Sequence, residues 1–359
     1  VQPPKVNFTY KTVLFPLLGI AGFLLYIYLF KVDIIGIIET AKTANPLIFS
    51  LAVLCGFIEI FFFTASWHAL TSHICIKLSI KRAFLYVWYG IYVDTVIPAE
   101  SISGEVTRAY LVVRDKCSSF GKAMASLFMH RLLGMTMNVV ILIAGIALLT
   151  VDGEVNTIVF NTIIFVAAGI TVMTAALTVL AFKKTWMLKA INWGTNVANK
   201  ITRGKWSIDK YKDTAVEFAD HFHDSMIEYR HNLKPVAESF IYLAVTWFFS
   251  LAIPYLVFQS LGQPVPWGIV FVTAAIVLAV KSIPAGIPFE VGIPEATMTT
   301  LYIAMGVNGA LAATATILTR IITLWFRFFA GFAAQQYLEL KPVATQPALM
   351  EKTKNTTNQ

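Results

Sequence analysis

Two acid–arginine couples recur in this chain at nearly the same spacing. Arg131 follows Glu105 by 26 residues, and Arg320 follows Glu295 by 25. All four residues stand in or beside strongly apolar stretches, as do Arg108, Lys281 and Arg327. Charges in such surroundings are expensive and are functional candidates by default. Arginines in a polar cavity would suit a lipid phosphate. Asp94, Glu100 and Glu290 add acid nearby; they could bind protons, or an amine or sugar headgroup. The bland alternative is that Glu105–Arg131 and Glu295–Arg320 are buried ion pairs that merely pin neighbouring elements. The residues alone leave both readings open.

Single charges invite the same weighing. Arg108 lies three residues after Glu105 on one helical face, so it either joins that acid or snorkels to the cytoplasmic interface. His130 neighbours Arg131 but points about 100° away on a helix, which reads as a packed or interfacial histidine. Glu59 stands in mid-span and reads as cavity-facing. Lys281 and Arg327 have no partner visible in the sequence.

The elements that must hold these groups follow from composition. Of 359 residues 57% are apolar and 13% charged, with mean hydropathy +0.69. Soluble domains carry about 25% charged residues. This excludes a water-soluble enzyme, a nucleic-acid binder acting through a basic surface, and a disordered chain. Six runs are long enough to cross a bilayer: 12–30, 46–70, 122–150, 156–182, 234–261 and 309–338. The first is expected to be a retained span, not a cleaved signal peptide. Two further apolar regions, 83–114 and 267–306, are broken by Pro98 and Gly104 and by Pro284, Pro288, Gly292 and Pro294. Their second arms are too short to span, so each region predicts a re-entrant helical hairpin. Backbone released by such breaks survives only where protein or a watery cavity surrounds it. Each second arm also presents a helix N-terminus, which favours anions.

Lys and Arg report orientation. With both termini cytoplasmic and the hairpins not crossing, 21 of the 28 fall on the cytoplasmic side; only Lys31 and Lys42 fall outside. The other five are the intramembrane ones named above. The expected fold is therefore all-α integral membrane, about six full spans plus two re-entrant hairpins. Both halves, 1–150 and 151–340, share the order span, loop, span, hairpin, span. An odd number of crossings per half makes this an inverted repeat, a common transporter plan. Ile97-Pro98-Ala99 and Ile283-Pro284-Ala285 mark matching breaks.

The cytoplasmic loop 183–234 carries ten basic residues. Tyr211, Ala215, Phe218, Phe222, Met226, Tyr229 and Leu233 give it an amphipathic helix, expected to lie on the anionic inner leaflet. Glu217, His221, Asp224 and Glu228 read as a solvated face, not a metal site. Ile34, Ile35, Ile37 and Ile38 suggest an interfacial helix outside, and 341–359 reads as a disordered tail. Cys55, Cys75 and Cys117 form no metal-type spacing, and no cofactor or nucleic-acid partner is expected.

The run Ile97-Pro98, Gly104-Glu105-Val106-Thr107-Arg108-Ala109-Tyr110-Leu111, then Ala123 through Arg131, resembles the first signature of the lysylphosphatidylglycerol synthase transmembrane-region family. This is the flippase-like domain also found in multiple peptide resistance factors. Pro284, Pro288, Gly292, Glu295, Gly306 and Arg320 look like its second signature. Ser103 replaces the first glycine of the family's Gly-Gly-acid step, and Pro288-Phe289-Glu290-Val291-Gly292 replaces its Pro-Gly-Gly-x-Gly turn. The resemblance implies a multi-pass plasma-membrane protein that binds or moves an anionic, aminoacylated or glycosylated lipid; polyprenyl-linked glycan lipids remain within the class. No stretch is long enough for the aminoacyl-transferase domain of the resistance factors, so synthase activity is not implied. No GxxxxGK[ST] loop is present, which leaves gradients or mass action to drive a lipid transporter. A lipid-linked transferase using one of the acids as base is an alternative. So is a non-transporting scaffold of an envelope or glycan-synthesis enzyme.

Overall fold

The computed structural model describes residues 34–97, 102–152, 157–183, 185, 189, 212–281 and 292–340. Among them there is helix and no strand. In lipid a helix satisfies every backbone group internally, so apolar runs of this length have little alternative. The elements are α1 (Ile34–Lys42), α2 (Pro46–His73), α3 (Ile80–Val96), α4 (Ile102–Arg114), α5 (Phe120–Asp152), α6 (Thr157–Phe182) and α7 (Lys212–His231). There follow α8 (Lys234–Ser260), α9 (Trp267–Lys281), α10 (Ile293–Ala304), α11 (Gly309–Arg320), a π-helical stretch (Ile321–Phe326) and α12 (Arg327–Leu340).

Local chemistry sets the boundaries. The Asn45 side chain accepts from the N–H groups of Leu47 and Ile48, with Pro46 in the first turn. Ser79 caps α3 and Asn308 caps α11 in the same way. Among the described residues, five helices are long and apolar enough to cross a membrane: α2, α5, α6, α8, and α11 through α12 taken as one. The sixth expected span, 12–30, lies outside the described residues, as do the tail 341–359 and most of loop 183–211. At about 1.5 Å per residue, the 13 residues of α4 and the 12 of α10 fall well short of a hydrocarbon core about 30 Å thick.

The core forms around α2 and α8, which run antiparallel. Asn45 N–H donates to Ser260 O (2.7 Å), and at the other end Ser66 Oγ meets Ser239 Oγ (2.7 Å). The short helices pack in two groups. α3 lies on α4 and on α12; α9 lies on α10 and on α5. α4 in turn rests on α5, and α10 on α11. α5 and α9 come within backbone distance, since a Cβ on Gly145 would meet the Val272 and Phe271 side chains at 2.9 and 3.0 Å. α6 is peripheral and exposes Phe165 and Val172.

α7 departs from expectation. Ala219, Phe222, Met226 and Tyr229 are buried, packed with Phe128 and neighbours on α5 rather than turned toward a leaflet. Tyr229 donates its hydroxyl to Leu70 O at the end of α2 (3.0 Å). Burial, then the Glu228 charge, holds that phenol well above its ordinary pKa. The middle of the apolar stripe, Phe222, Met226 and Tyr229, is covered by protein, while Leu233 at its end is exposed. Its polar face is knit by Glu217 to His221 (3.8 Å), and no His/Cys/Asp/Glu metal cluster occurs among the described residues.

Candidate functional site in the helix breaks

The openings of α4 and α10 carry the charges singled out above. α4 begins at Ile102, earlier than the sequence break suggests, so Gly104 and Glu105 fall in its first turn. Asp94, near the end of α3, accepts from Ser103 Oγ (2.7 Å) and from Gly104 N–H (2.6 Å). A carboxylate from one arm therefore closes the free donors of the other, as the helix dipole favours. A Cβ on Gly104 would run into that carboxylate and stand 2.6 Å from Gly90 O. Only glycine permits the approach.

α10 solves the same problem with its own side chain. Gly292 sits at φ +101°, where other residues are strained, and its N–H donates to Glu295 Oε2 (2.7 Å). The other oxygen, Oε1, accepts from Arg320 Nε at 2.6 Å. Glu295 and Arg320 are both buried. In the first half Glu105 Oε2 accepts from Arg131 Nη1 at 3.1 Å. That pair is more open, with side-chain exposures of 13% and 28% against 3% and 7% for Glu295 and Arg320. Each pair ties a short helix to the long helix that follows it. The donors expected to face a ligand, Gly104 N–H and Gly292 N–H, are occupied by the protein's own carboxylates.

A third pair was invisible in the sequence. Arg327 donates through Nη2 to Glu59 Oε2, joining α12 to α2 across 268 residues. Sequence reasoning flagged each charge, but nothing in their spacing links them. Their sole signal is that an intramembrane acid and an intramembrane base were both left over.

Arg108 follows neither sequence alternative. It makes no ion pair with Glu105 and does not reach an interface; it is 7% exposed, beneath Phe63 and Trp67 of α2. Its guanidinium carbon lies 5.8 and 5.5 Å from those ring centroids, and Nε makes one long bond to Gly104 O (3.4 Å). Nη1 has no acceptor. His130 packs edge-on to the same Phe63 ring (4.6 Å), is 5% exposed, and leaves Nε2 without a partner. A desolvated cation–π contact contributes about 2 kcal/mol. Removing an ion from water costs several kcal/mol. The two rings leave this guanidinium under-compensated.

Of the other candidates, Lys281 ends α9. Pro294 is buried in the first turn of α10. Pro98, Glu100, Pro284, Pro288 and Glu290 lie outside the described residues. Smaller polar links join the same helices: Thr299 Oγ1 donates to Thr316 Oγ1 (3.1 Å), and Asn138 Nδ2 to Ala275 O (3.4 Å).

This arrangement, apolar spans enclosing charged short-helix openings, is a multi-pass membrane protein. Residues 15–331 match the lysylphosphatidylglycerol synthase transmembrane region. A UPF0104 membrane protein of Pyrococcus horikoshii is 25% identical over 285 residues, 78% of this chain and 84% of that one. A second, from Methanothermobacter thermautotrophicus, is 22% identical over 315 residues, 84% of this chain and 89% of its own. With the match running through both helix breaks and all three ion pairs, the chain belongs to the lysylphosphatidylglycerol synthase transmembrane-region family.

Proposed function

We propose that this protein is a non-enzymatic lipid transporter that moves a lipid with an anionic, aminoacylated or glycosylated headgroup between leaflets, polyprenyl-phosphate-linked lipids included. The observation that carries the reading is the set of Glu–Arg pairs at the openings of two helices too short to span. Such charges inside an apolar bundle are costly. They also stand where a headgroup would need polar company at membrane depth.

The pattern of packing supports an inverted repeat with re-entrant hairpins. Exchange α3 with α9, α4 with α10, and α5 with α11–α12, and the contacts α3–α12, α4–α5 and α3–α4 become α9–α5, α10–α11 and α9–α10. α2 and α8 exchange with each other across their own antiparallel contact. The basic bias places both termini on the cytoplasmic side of a plasma membrane in this reading. The basic loop 183–234 meets the anionic inner leaflet through its Lys and Arg, since Phe222, Met226 and Tyr229 of its apolar stripe are used by α5 and α2.

The test is purified protein in liposomes carrying a fluorescent phosphatidylglycerol, with quencher added outside. Transport makes the inner-leaflet label accessible. Arg131→Ala and Arg320→Ala are expected to abolish it. Unchanged movement in both variants refutes the proposed route.

A further inference from the structure

We propose that Arg108 and His130 form a binding site for a monoanionic phosphodiester, walled by Phe63 and Trp67. This deepens the transporter reading by assigning the headgroup's phosphate to a residue pair outside the Glu–Arg pairs.

The donors are prepared and unused. Arg108 Nη1 and His130 Nε2 belong to side chains more than nine-tenths buried, and both atoms lack a partner. Both side chains pack on one ring, Phe63, from α4 and α5 respectively. Trp67 is held in place by its own bond from Nε1 to Ser126 Oγ (3.1 Å). The hairpin's carboxylates are committed elsewhere: Asp94 to Ser103 and Gly104, Glu105 to Arg131. Gly90 makes room from below, since a Cβ there would meet Arg108 Cγ at 3.3 Å and Nε at 3.4 Å. An under-compensated cation beside a neutral donor calls for an acceptor with at least two oxygens pointing different ways. A tetrahedral phosphate has that shape.

Charge chooses the class of phosphate. Arg108 brings one positive charge and meets only a backbone oxygen, so one negative charge answers it and any further charge is surplus. A phosphodiester adds one charge; a phosphomonoester adds up to two. The diester is the smaller burden in a low-dielectric site.

The experiment titrates the thermal unfolding of the full-length protein in neutral detergent with phosphatidylglycerol, and separately with dimethyl phosphate, a headgroup without tails. A ligand that binds the folded state raises the unfolding midpoint. Wild type is expected to respond to phosphatidylglycerol and more weakly to phosphatidic acid. Arg108→Met is expected to unfold no earlier than wild type without lipid, because it removes an uncompensated buried charge. It should need about tenfold more phosphatidylglycerol, or beyond, for the same rise. If Arg108→Met does not fold, His130→Phe keeps the ring and removes only Nε2, and the same loss is expected. A response to dimethyl phosphate supports a site for the diester alone. A response to phosphatidylglycerol only supports a lipid headgroup held with its tails. Equal titrations in wild type and the folded variant, or no response of wild type to either probe, overturn the proposal. Binding is read without transport, so binding with no lipid movement leaves this site standing and removes the transporter reading alone.

Discussion

Glu295 does two jobs with two oxygens, and removing it has a calculable cost. Glu295→Ala removes the carboxylate that Arg320 Nε meets at 2.6 Å and frees the Gly292 N–H. Breaking a buried pair from one side costs about 3–5 kcal/mol. Loss of the helix cap adds about 1 kcal/mol. Arg320→Met should cost less than Glu295→Ala, because the cap survives. The double variant Glu295→Met/Arg320→Met leaves no stranded charge and is expected within about 2 kcal/mol of wild type. The Glu105–Arg131 pair, partly open to its surroundings, should lose roughly half as much on single removal. Unfolding by SDS titration in mixed micelles, followed by tryptophan fluorescence, measures all four. Glu295→Met, measured alongside, closes the double-mutant cycle with Arg320→Met and the double variant and gives the coupling. If the single costs are below about 1 kcal/mol and simply add, the pair is not the buried, mutually dependent contact described here. The same double variant separates the pair's roles. A stable protein that no longer moves lipid makes the pair functional, and one that still moves lipid makes it a pin.

Glu59→Gln should destabilise the protein by about 2–4 kcal/mol in the same titration, with Arg327→Met/Glu59→Met recovering most of it. Gly104→Ala should loosen the α3–α4 contact at a cost of about 1–3 kcal/mol, because the new methyl meets the Asp94 carboxylate and Gly90 O. Tyr229→Phe should cost about 1 kcal/mol and speed proteolysis of α7, since it deletes the bond to Leu70 O. Exposed Cys75 should react in intact cells with a membrane-impermeant maleimide only after permeabilisation, if its end of the bundle is cytoplasmic. Cys117 should label more slowly, because burial, then the Asp115 charge, raises its pKa and starves it of thiolate. Labelling of Cys75 without permeabilisation refutes the orientation.

Hydropathy made the membrane helices legible because lipid leaves the backbone few choices. The start of α2 at Pro46 and the start of α8 at Lys234 match the runs read from the sequence. Glu105–Arg131 and Glu295–Arg320 were legible as couples because each joins consecutive elements, where spacing along the chain tracks distance in space. Glu59 and Arg327 meet only because α2 and α12 are neighbours in the folded bundle, which no spacing encodes. Arg108 escaped both alternatives for the same reason: its ceiling, Phe63 and Trp67, comes from a helix two elements earlier. For α7 the periodicity identified an apolar face but not the medium that covers it. Lipid and the side of α5 look alike to a hydrophobic stripe.

The π-helical stretch Ile321–Phe326 separates Arg320 from Arg327. In an unbroken α-helix, residues seven apart are about 20° from eclipsed, and both guanidiniums would sit on one stripe. One wide turn sets everything beyond it back by about 100°. Arg320 is thereby free to serve α10 while Arg327 serves α2. Winding 321–326 as an ordinary α-helix of the same length would bring both cations to about the same side, leaving one acid unanswered, whereas deleting one residue would keep their present facing, since six α-helical residues turn through about 600°. The extra residue taken up in the wide turn is thus what lets two cations seven residues apart answer acids on different helices.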